Sequence, residues 1–207
     1  LAKEIGITQQ AAWFVLQRLR EACGNDIAKL SGIVEVDETY IGGKEANKHE
    51  SKKRKAGRGA VGKSAVVGMR ERGGRTIAKP VDDADNANLH RAIHTHVEVG
   101  TTVYTDEARA YSGLGGLFFQ HATVNHGAGE YMRNGIGTNS IESVWAVLKR
   151  GLHGVYHHAS PKHLGRYVNE FTFRLNDANC QRPTLERLNS FVAATVGRRI
   201  TYKELTA

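Results

Sequence analysis

The sequence has little of what secreted or membrane-spanning proteins require. It contains two cysteines, Cys23 and Cys180, among 207 residues. Two cysteines so far apart and without a paired spacing give neither a disulfide framework nor a cysteine zinc site within one chain. No stretch approaches eighteen consecutive apolar residues, so we expect no membrane span, and no secretory signal is visible. These absences favour a reduced, cytoplasmic protein, and the initial Leu1 leads us to expect a fragment of a longer chain.

Acidic residues are also in deficit, which favours an anionic partner. The chain has 29 Lys and Arg against 21 Asp and Glu, a formal net charge of +8, and nucleic acid is the first partner that such a balance suggests. Much of the excess lies in residues 42–63, which carry eight basic and two acidic side chains and almost no large apolar residue. This composition predicts a mobile loop that contacts DNA phosphates, although it also suits a loop that only keeps the chain soluble. The basic residues expected to make these contacts are Lys52, Lys53, Arg54, Lys55 and Arg58.

Residues 1–30 have the pattern of a helix-turn-helix. Gly6 suits the end of a short first helix, and Thr8 suits the N-cap of the second. In such a motif the second helix enters the major groove of DNA, led here by Gln9 and Gln10. The alternative is a plain helical hairpin that packs on the main domain.

Residues 31–180 alternate strand-like and helix-like segments, which indicates an α/β domain. The predicted strands are Ile33–Ile41, Ser64–Arg70, Thr76–Val81, Thr101–Thr105 and Phe118–Val124. The predicted helices start near Asn86, Thr138 and Pro161. A last helix, Thr184–Thr195, and a tail or edge from Gly197 make up a C-terminal segment, residues 181–207.

The helix that starts near Thr138 is strongly amphipathic. Its apolar residues recur at three- and four-residue steps: Ile141, Val144, Trp145 and Leu148. Thr138 or Asn139 is expected to cap its first turn, and Trp145 to anchor it in the core. Glu142 and Lys149 lie two turns apart, so both project beside the apolar face, either as an ordinary surface pair or as parts of one site.

Three acids occupy positions that suggest phosphoryl-transfer chemistry. Asp37 interrupts a strand, where a buried carboxylate is costly unless it is paired or bound to metal. Glu35 shares its strand face and Glu38 faces the other way. With Asp106 at a strand end and Glu142 on a helix, the set matches one that holds two divalent metals. The alternative for Asp37 is an acidic, exposed sheet edge.

Four motifs together resemble the DDE transposases of bacterial insertion sequences, over about residues 1–178. They are V-D-E-T-Y-I-G-G at Val36–Gly43, Y-T-D-E-x-x-x-Y at Tyr104–Tyr111, T-N-x-I-E-x-x-W-x-x-L-K-R-G at Thr138–Gly151, and Y-H-H at Tyr156–His158. The resemblance is to the group in which a zinc ribbon and a helix-turn-helix precede the catalytic domain, and the ribbon is not part of this sequence. It implies an RNase H-like fold, in which a mixed five-stranded sheet carries helices on both faces.

The same resemblance implies a function and a site. The catalytic and metal-binding residues would be Asp37, Asp106 and Glu142, with Asn139 as the alternative third member. The cofactor would be Mg²⁺, with Mn²⁺ as a substitute. Lys149, Arg150 and His126, in the glycine-rich loop before the helix, are expected to contact DNA.

In the implied reaction, a metal-activated water cleaves double-stranded DNA at a transposon end, and the freed 3′-OH attacks target DNA. We expect a nucleoid-associated homodimer or larger assembly that acts without a membrane. Two alternatives stay open: an RNase H-like nuclease or resolvase that cuts without joining, and a domesticated DNA-binding protein whose catalytic fold is inert.

Overall fold

The computed structural model of the chain describes residues 1–24, 28–43, 49–53, 60–116, 118–125, 132–177, 182–197 and 199–207. Contacts between residues divide it into two units. One is Ile27–Leu164, and the other combines Leu1–Asp26 with Gly165–Ala207. The predicted domain boundaries at residues 30 and 180 stay a prediction.

The helices are α1 (Ala2–Ile5), α2 (Gln9–Ala22), α3 (Asn86–His96), α4 (Asn139–Gly151), α5 (Pro161–Asn176), α6 (Thr184–Thr195) and α7 (Tyr202–Thr206). The strands are β1 (Ile33–Ile41), β2 (Ser64–Glu71), β3 (Thr76–Val81), β4 (Thr102–Asp106) and β5 (Gln120–Val124). Short 3₁₀ turns occur at Glu50–Lys52 and Arg109–Tyr111, and a π-helix at Leu152–Tyr156 continues α4. Within the described ranges, no helix combines the length and the apolar character needed to cross a membrane.

The five strands form one mixed sheet in the order β3-β2-β1-β4-β5. Strand β2 runs antiparallel to both β1 and β3. The short turn between β2 and β3 requires this direction for that pair. Strands β4 and β5 run parallel to β1. Helix α3 provides the crossover that parallel strands need, and the predicted mixed five-stranded sheet is therefore confirmed.

Helices cover both faces of this sheet. Val34 and Val36 of β1 point to one face, where they join Leu89 and Ile93 of α3 in the main hydrophobic core. On the opposite face α4 packs against β1 and β2. Its apolar stripe is buried as predicted, and Trp145 retains only 5% exposure. Strand β1 is thus buried on both sides, and its side chains contact a different helix on each.

The N-terminus of α4 is not capped as the sequence suggested. Thr138 occupies the N-cap position but its side chain makes no capping hydrogen bond. Instead, one carboxylate oxygen of Glu35 on β1 accepts from the backbone N–H of Ser140 (2.9 Å) and Ile141 (3.1 Å). The expectation that Thr138 or Asn139 supplies the cap was wrong, because a buried acid from the sheet satisfies these donors.

The second unit is helical. Gly6 ends α1 in the left-handed conformation (φ 68°), and the Thr8 hydroxyl caps α2 by accepting from Ala11 N–H, as predicted. Arg20 of α2 is buried and donates to Glu170 of α5 at 2.8 Å. The segment expected to be a tail contains α7, whose capping box and fully buried Leu205 the sequence analysis missed.

Candidate active site

Asp37 and Asp106 lie side by side on parallel strands. The last paired residues of β1 and β4 are Glu35 and Tyr104, and two residues further along each strand come Asp37 and Asp106. Neighbouring strands are about 4.8 Å apart, and residues two apart share a face. Both carboxylates therefore project from the α4 face of the sheet, next to each other.

Asp37 is held in a crowded and partly buried position. The indole N–H of Trp145 donates to its Oδ2 at 2.9 Å. Burial raises the pKa of Asp37 from 3.8 to about 7, and the negative charges of Glu38 and Asp106 act in the same direction, while the bond from Trp145 opposes them. A carboxyl group in this state gains from any cation that neutralises the charges around it.

Glu38 serves the other face of the same strand. Its Oε2 accepts a hydrogen bond from the Tyr111 hydroxyl at 2.6 Å, and Tyr111 belongs to the main core. Burial and the neighbouring Glu38 raise the pKa of Tyr111 well above its ordinary value. The predicted division of faces, with Glu35 and Asp37 on one side and Glu38 on the other, is confirmed.

Asp106 ends β4 at the edge of an open groove. The backbone N–H of Ala108 donates to its Oδ1 at 3.0 Å, which fixes the turn that follows the strand. The groove measures about 790 Å³ and is also lined by Arg109, His121 and Thr123. The groove therefore combines the acidic Asp106 and Glu107 with a basic and an imidazole side chain.

Glu142 lies on the helix that contacts Asp37 through Trp145. It is exposed, one turn before Trp145, and the Thr138 hydroxyl lies 3.4 Å from its Oε1. Asn139 is the first residue of α4 and is also exposed. In the part of the chain that the structure describes, no three His, Cys, Asp or Glu side chains form a group that could hold a metal ion. The structure thus brings the two aspartates together and places both candidates for the third residue on the adjacent helix.

Sequence reasoning did not identify three residues that shape this site. Glu35 caps α4, as described above. Arg72, which follows β2, donates to Glu35 Oε1 at 2.8 Å. Gly68 of β2 leaves room for the ring of Trp145, since a Cβ there would lie 2.5 Å from two of its carbon atoms. The Glu35–Asp37 spacing was a visible signal for Glu35, whereas nothing in the local sequence marks the other two.

The predicted DNA contacts are partly described. Lys149 and Arg150 are exposed near the end of α4. Gln9 and Gln10 are exposed at the start of α2, and the Gln10 amide donates to the Tyr202 hydroxyl of α7. Lys53 pairs with Glu50 at 2.7 Å. Four of the remaining predicted contacts lie outside the described residues: Arg54, Lys55, Arg58 and His126. The backbone of Lys52 is described, but its side chain is not.

The mixed five-stranded sheet with helices on both faces is the architecture expected of an RNase H-like domain. The sequence profile of the ISXO2-like transposase domain matches residues 29–176, and the chain belongs to this family. That range includes the whole sheet together with α3, α4 and α5.

The chain is also similar to individual proteins. It is 27% identical over 184 residues to an uncharacterized protein in transposable element ISH50 of Halobacterium salinarum. The match covers 84% of this chain and 62% of that protein, so the chain spans somewhat less than two thirds of its relative.

Two solved structures show weaker likenesses. The catalytic core domain of BIV integrase aligns with a TM-score of 0.46 at 10% identity, covering 80% of this chain and 96% of that one. The Mos1 transposase paired-end complex with the left transposon end aligns with a TM-score of 0.30 at 12% identity, covering 94% and 73%. The family assignment does not depend on these two structures.

Proposed function

We propose that this chain is the catalytic part of a DNA transposase that cleaves transposon ends and joins the 3′-OH to target DNA. The observation that carries the proposal is the placement of Asp37 beside Asp106 in a chain of a transposase family. Its partners would be the two DNA duplexes and at least one further copy of the chain, because two ends must be cut and joined together.

The donor chemistry fits a hard divalent cation such as Mg²⁺ or Mn²⁺. Two carboxylates on neighbouring strands provide oxygen ligands, which these ions prefer. The raised pKa of Asp37, caused by burial and by the charges of Glu38 and Asp106, indicates that this pair is poorly neutralised by the protein itself. Asp37 and Asp106 would hold the ions together with a third ligand from α4. Bound there, the ions would activate a water and stabilise the leaving 3′ oxygen.

The protein groups around the acids would orient them. The Trp145 N–H fixes one oxygen of Asp37, and the Ala108 N–H fixes one oxygen of Asp106. Lys149, exposed two turns along α4 from Glu142, would hold a DNA phosphate near the cut by charge. The same positions would serve both the cleavage step and the joining step, since both displace an oxygen at phosphorus.

The third ligand is Glu142 in this proposal, with Asn139 as the alternative. A carboxylate binds Mg²⁺ more strongly than an amide does, and Glu142 lies one turn from the Trp145 that contacts Asp37. Asn139 lies three residues earlier on the same side of α4, so the two side chains are alternatives for one position on that helix.

Calorimetric titration with Mn²⁺ tests the assignment. Wild type is compared with Asp37→Ala, Asp106→Ala, Glu142→Ala and Asn139→Ala. We expect the first three variants to lose a binding site and Asn139→Ala to retain it. If Asn139→Ala fails to bind while Glu142→Ala binds normally, the third ligand is Asn139 instead. If no variant differs from wild type, the titration is repeated with a pre-cut end duplex, and equal binding there would refute the metal site.

A strand-transfer assay separates transposition from simple cleavage. Wild type is incubated with a labelled transposon-end duplex, a target plasmid and Mg²⁺. We expect wild type to form joined products and Asp37→Asn to form none. Cleavage without joining would instead show a nuclease or resolvase, and metal-independent DNA binding alone would show an inert DNA-binding protein.

A further inference from the structure

A buried ion pair connects the elements that carry the candidate site residues. Glu35 lies in the centre of the sheet with its side chain only 3% exposed, and its Oε1 accepts from Arg72 Nε at 2.8 Å. Arg72 is 30% exposed, so water is excluded from the carboxylate more than from the guanidinium. A buried carboxylate requires such compensation, because water is excluded from it.

The second oxygen of Glu35 holds the first turn of α4. It accepts from the backbone N–H groups of Ser140 and Ile141. The N–H groups at the start of a helix have no partner within the helix, and the helix dipole favours a negative charge there. One acid thus bonds both the arginine after β2 and the beginning of α4.

Arg72 extends the same connection with its remaining nitrogen atoms. Its Nη1 donates to the Gly135 carbonyl, and its Nη2 to the Gly137 carbonyl at 3.2 Å. Both glycines belong to the segment that leads into α4. The guanidinium also lies over the ring of Tyr104 on β4, 4.9 Å from its centre. The arginine therefore contacts the helix approach, β1 and β4 at once.

Each contacted element carries a candidate site residue within two positions. Glu35 precedes Asp37 by two residues on β1, Tyr104 precedes Asp106 by two on β4, and Ile141 directly precedes Glu142 on α4. Because residues two apart on a strand share a face, displacement of Glu35 or Tyr104 would be transmitted to the neighbouring aspartate. Loss of the Glu35 bonds would release the turn of α4 that contains both Asn139 and Glu142.

We infer that Glu35 and Arg72 are positioning residues that set the third ligand on α4 against the two aspartates. This inference rests on the proposed function, since it concerns the same metal site. Neither residue touches the metal or DNA in this role. They act through the helix turn and the strand positions next to the ligands, much as outer partners orient the ligands of other metal sites.

The test compares Glu35→Gln, Arg72→Met and Arg72→Lys with a matched control in the same turn. Arg75→Met is the control, because Arg75 bonds Glu71 and the Lys29 carbonyl instead of α4. The milder Arg72→Lys keeps the charge but cannot reproduce three directed bonds. It keeps the inference testable if Glu35→Gln does not fold.

The first readout is amide hydrogen exchange at Ser140 and Ile141, measured by NMR without metal. We expect exchange to become about tenfold faster or more in these variants, because Glu35→Gln weakens the cap itself and the Arg72 variants remove or weaken the ion pair that holds Glu35 in place. The Arg75 control should exchange like wild type at both amides. Unchanged exchange in Glu35→Gln and Arg72→Met would overturn the inference.

The second readout separates positioning from general structural damage. The Kd for Mn²⁺ should rise about 10- to 100-fold in the Glu35 and Arg72 variants, the range found for outer partners of metal ligands. Affinity for a non-specific DNA duplex, measured without divalent metal, should stay within about twofold, because it depends on surface charge. Wild-type Mn²⁺ affinity in variants with faster exchange would also overturn the inference. If wild type itself binds no Mn²⁺, with or without an end duplex, the proposed function fails. If wild type binds Mn²⁺ and the variants bind it equally well, only the positioning inference fails.

Discussion

Replacing Gly68 by alanine should destabilise the protein through a single clash. The new methyl carbon would lie 2.5 Å from Cη2 and Cζ2 of Trp145 and 2.9 Å from Cδ1 of Ile141, whereas carbon atoms pack best about 3.5–4.0 Å apart. The indole cannot rotate away freely, because it is 5% exposed and its N–H is bonded to Asp37. Either the ring and α4 shift outward, or the bond to Asp37 breaks.

The magnitude follows from opposing effects. Overpacking of a core costs about 1–3 kcal/mol, and strain on a hydrogen bond to a carboxylate adds to it, up to about 1.5–3 kcal/mol if the bond is lost. Alanine also restricts the unfolded chain more than glycine does, which stabilises the folded state by about 0.4–1 kcal/mol. We therefore expect the free energy of unfolding to fall by about 1–5 kcal/mol, toward the upper end if the bond to Asp37 is lost.

Urea unfolding followed by circular dichroism measures this change. Gly151→Ala is the matched control, because Gly151 is in helical conformation and a Cβ there meets nothing within 4 Å. The control should gain up to about 1 kcal/mol in the free energy of unfolding. In a Trp13→Phe background, emission reports Trp145 alone and should change in Gly68→Ala.

A double-mutant cycle tests the stated cause. Phenylalanine lacks the outer indole atoms that the methyl group would meet, so Gly68→Ala should cost less in a Trp145→Phe background than in wild type. If Gly68→Ala is as stable as wild type, or costs the same in both backgrounds, the packing argument is refuted.

Three further predictions follow from the charges and burial. Asp37→Asn should raise the free energy of unfolding more at pH 8 than at pH 5. The raised pKa of Asp37, about 7, means that its stabilising neutral form is lost as pH rises through that value; equal gains at both pH values in urea titrations would contradict this. Burial raises the pKa of Cys23 to about 12, so in Cys180→Ser the native thiol should react with a disulfide reagent at pH 8 about a hundredfold or more slowly than after unfolding; equal rates would refute it. Arg20→Met removes one of the two arginines that pair with Glu170 and leaves Arg174 in place, so it should cost less than the about 3–5 kcal/mol lost when a buried charge loses its sole partner. Arg20→Met/Glu170→Leu should cost less still, and a larger loss in the double variant would contradict the argument.

The sequence was sufficient for features that depend on local periodicity. The alternation of apolar and polar residues predicted β1 and its two faces, and three- and four-residue steps predicted α4. Asp37 and Asp106 were predicted to share one site because two aspartates on strands followed by a glutamate on a helix match a two-metal set. These features depend on residues close in the chain, or on regular geometry.

The features that were missed depend on contacts between distant segments. Glu35 caps a helix 105 residues later in the chain. The local sequence instead suggested that Thr138 or Asn139 would supply the cap. Gly68 matters only because Trp145 packs opposite it. The short helix α7 has five residues, and its stability depends on burial of Leu205 more than on propensity.

The paired strands and the packed helix differ in how freely they can change through evolution. Asp37 and Asp106 belong to strands whose hydrogen-bonded register admits displacement only in steps of a whole residue, and a one-residue step turns a side chain to the opposite face. Helix α4 is held against the sheet by side chains, so the third ligand proposed there can be replaced by a neighbour on the same helical side without reordering the fold. During evolution the positions of the aspartates should therefore change only by whole-residue steps, whereas the position of the third ligand can shift along the helix.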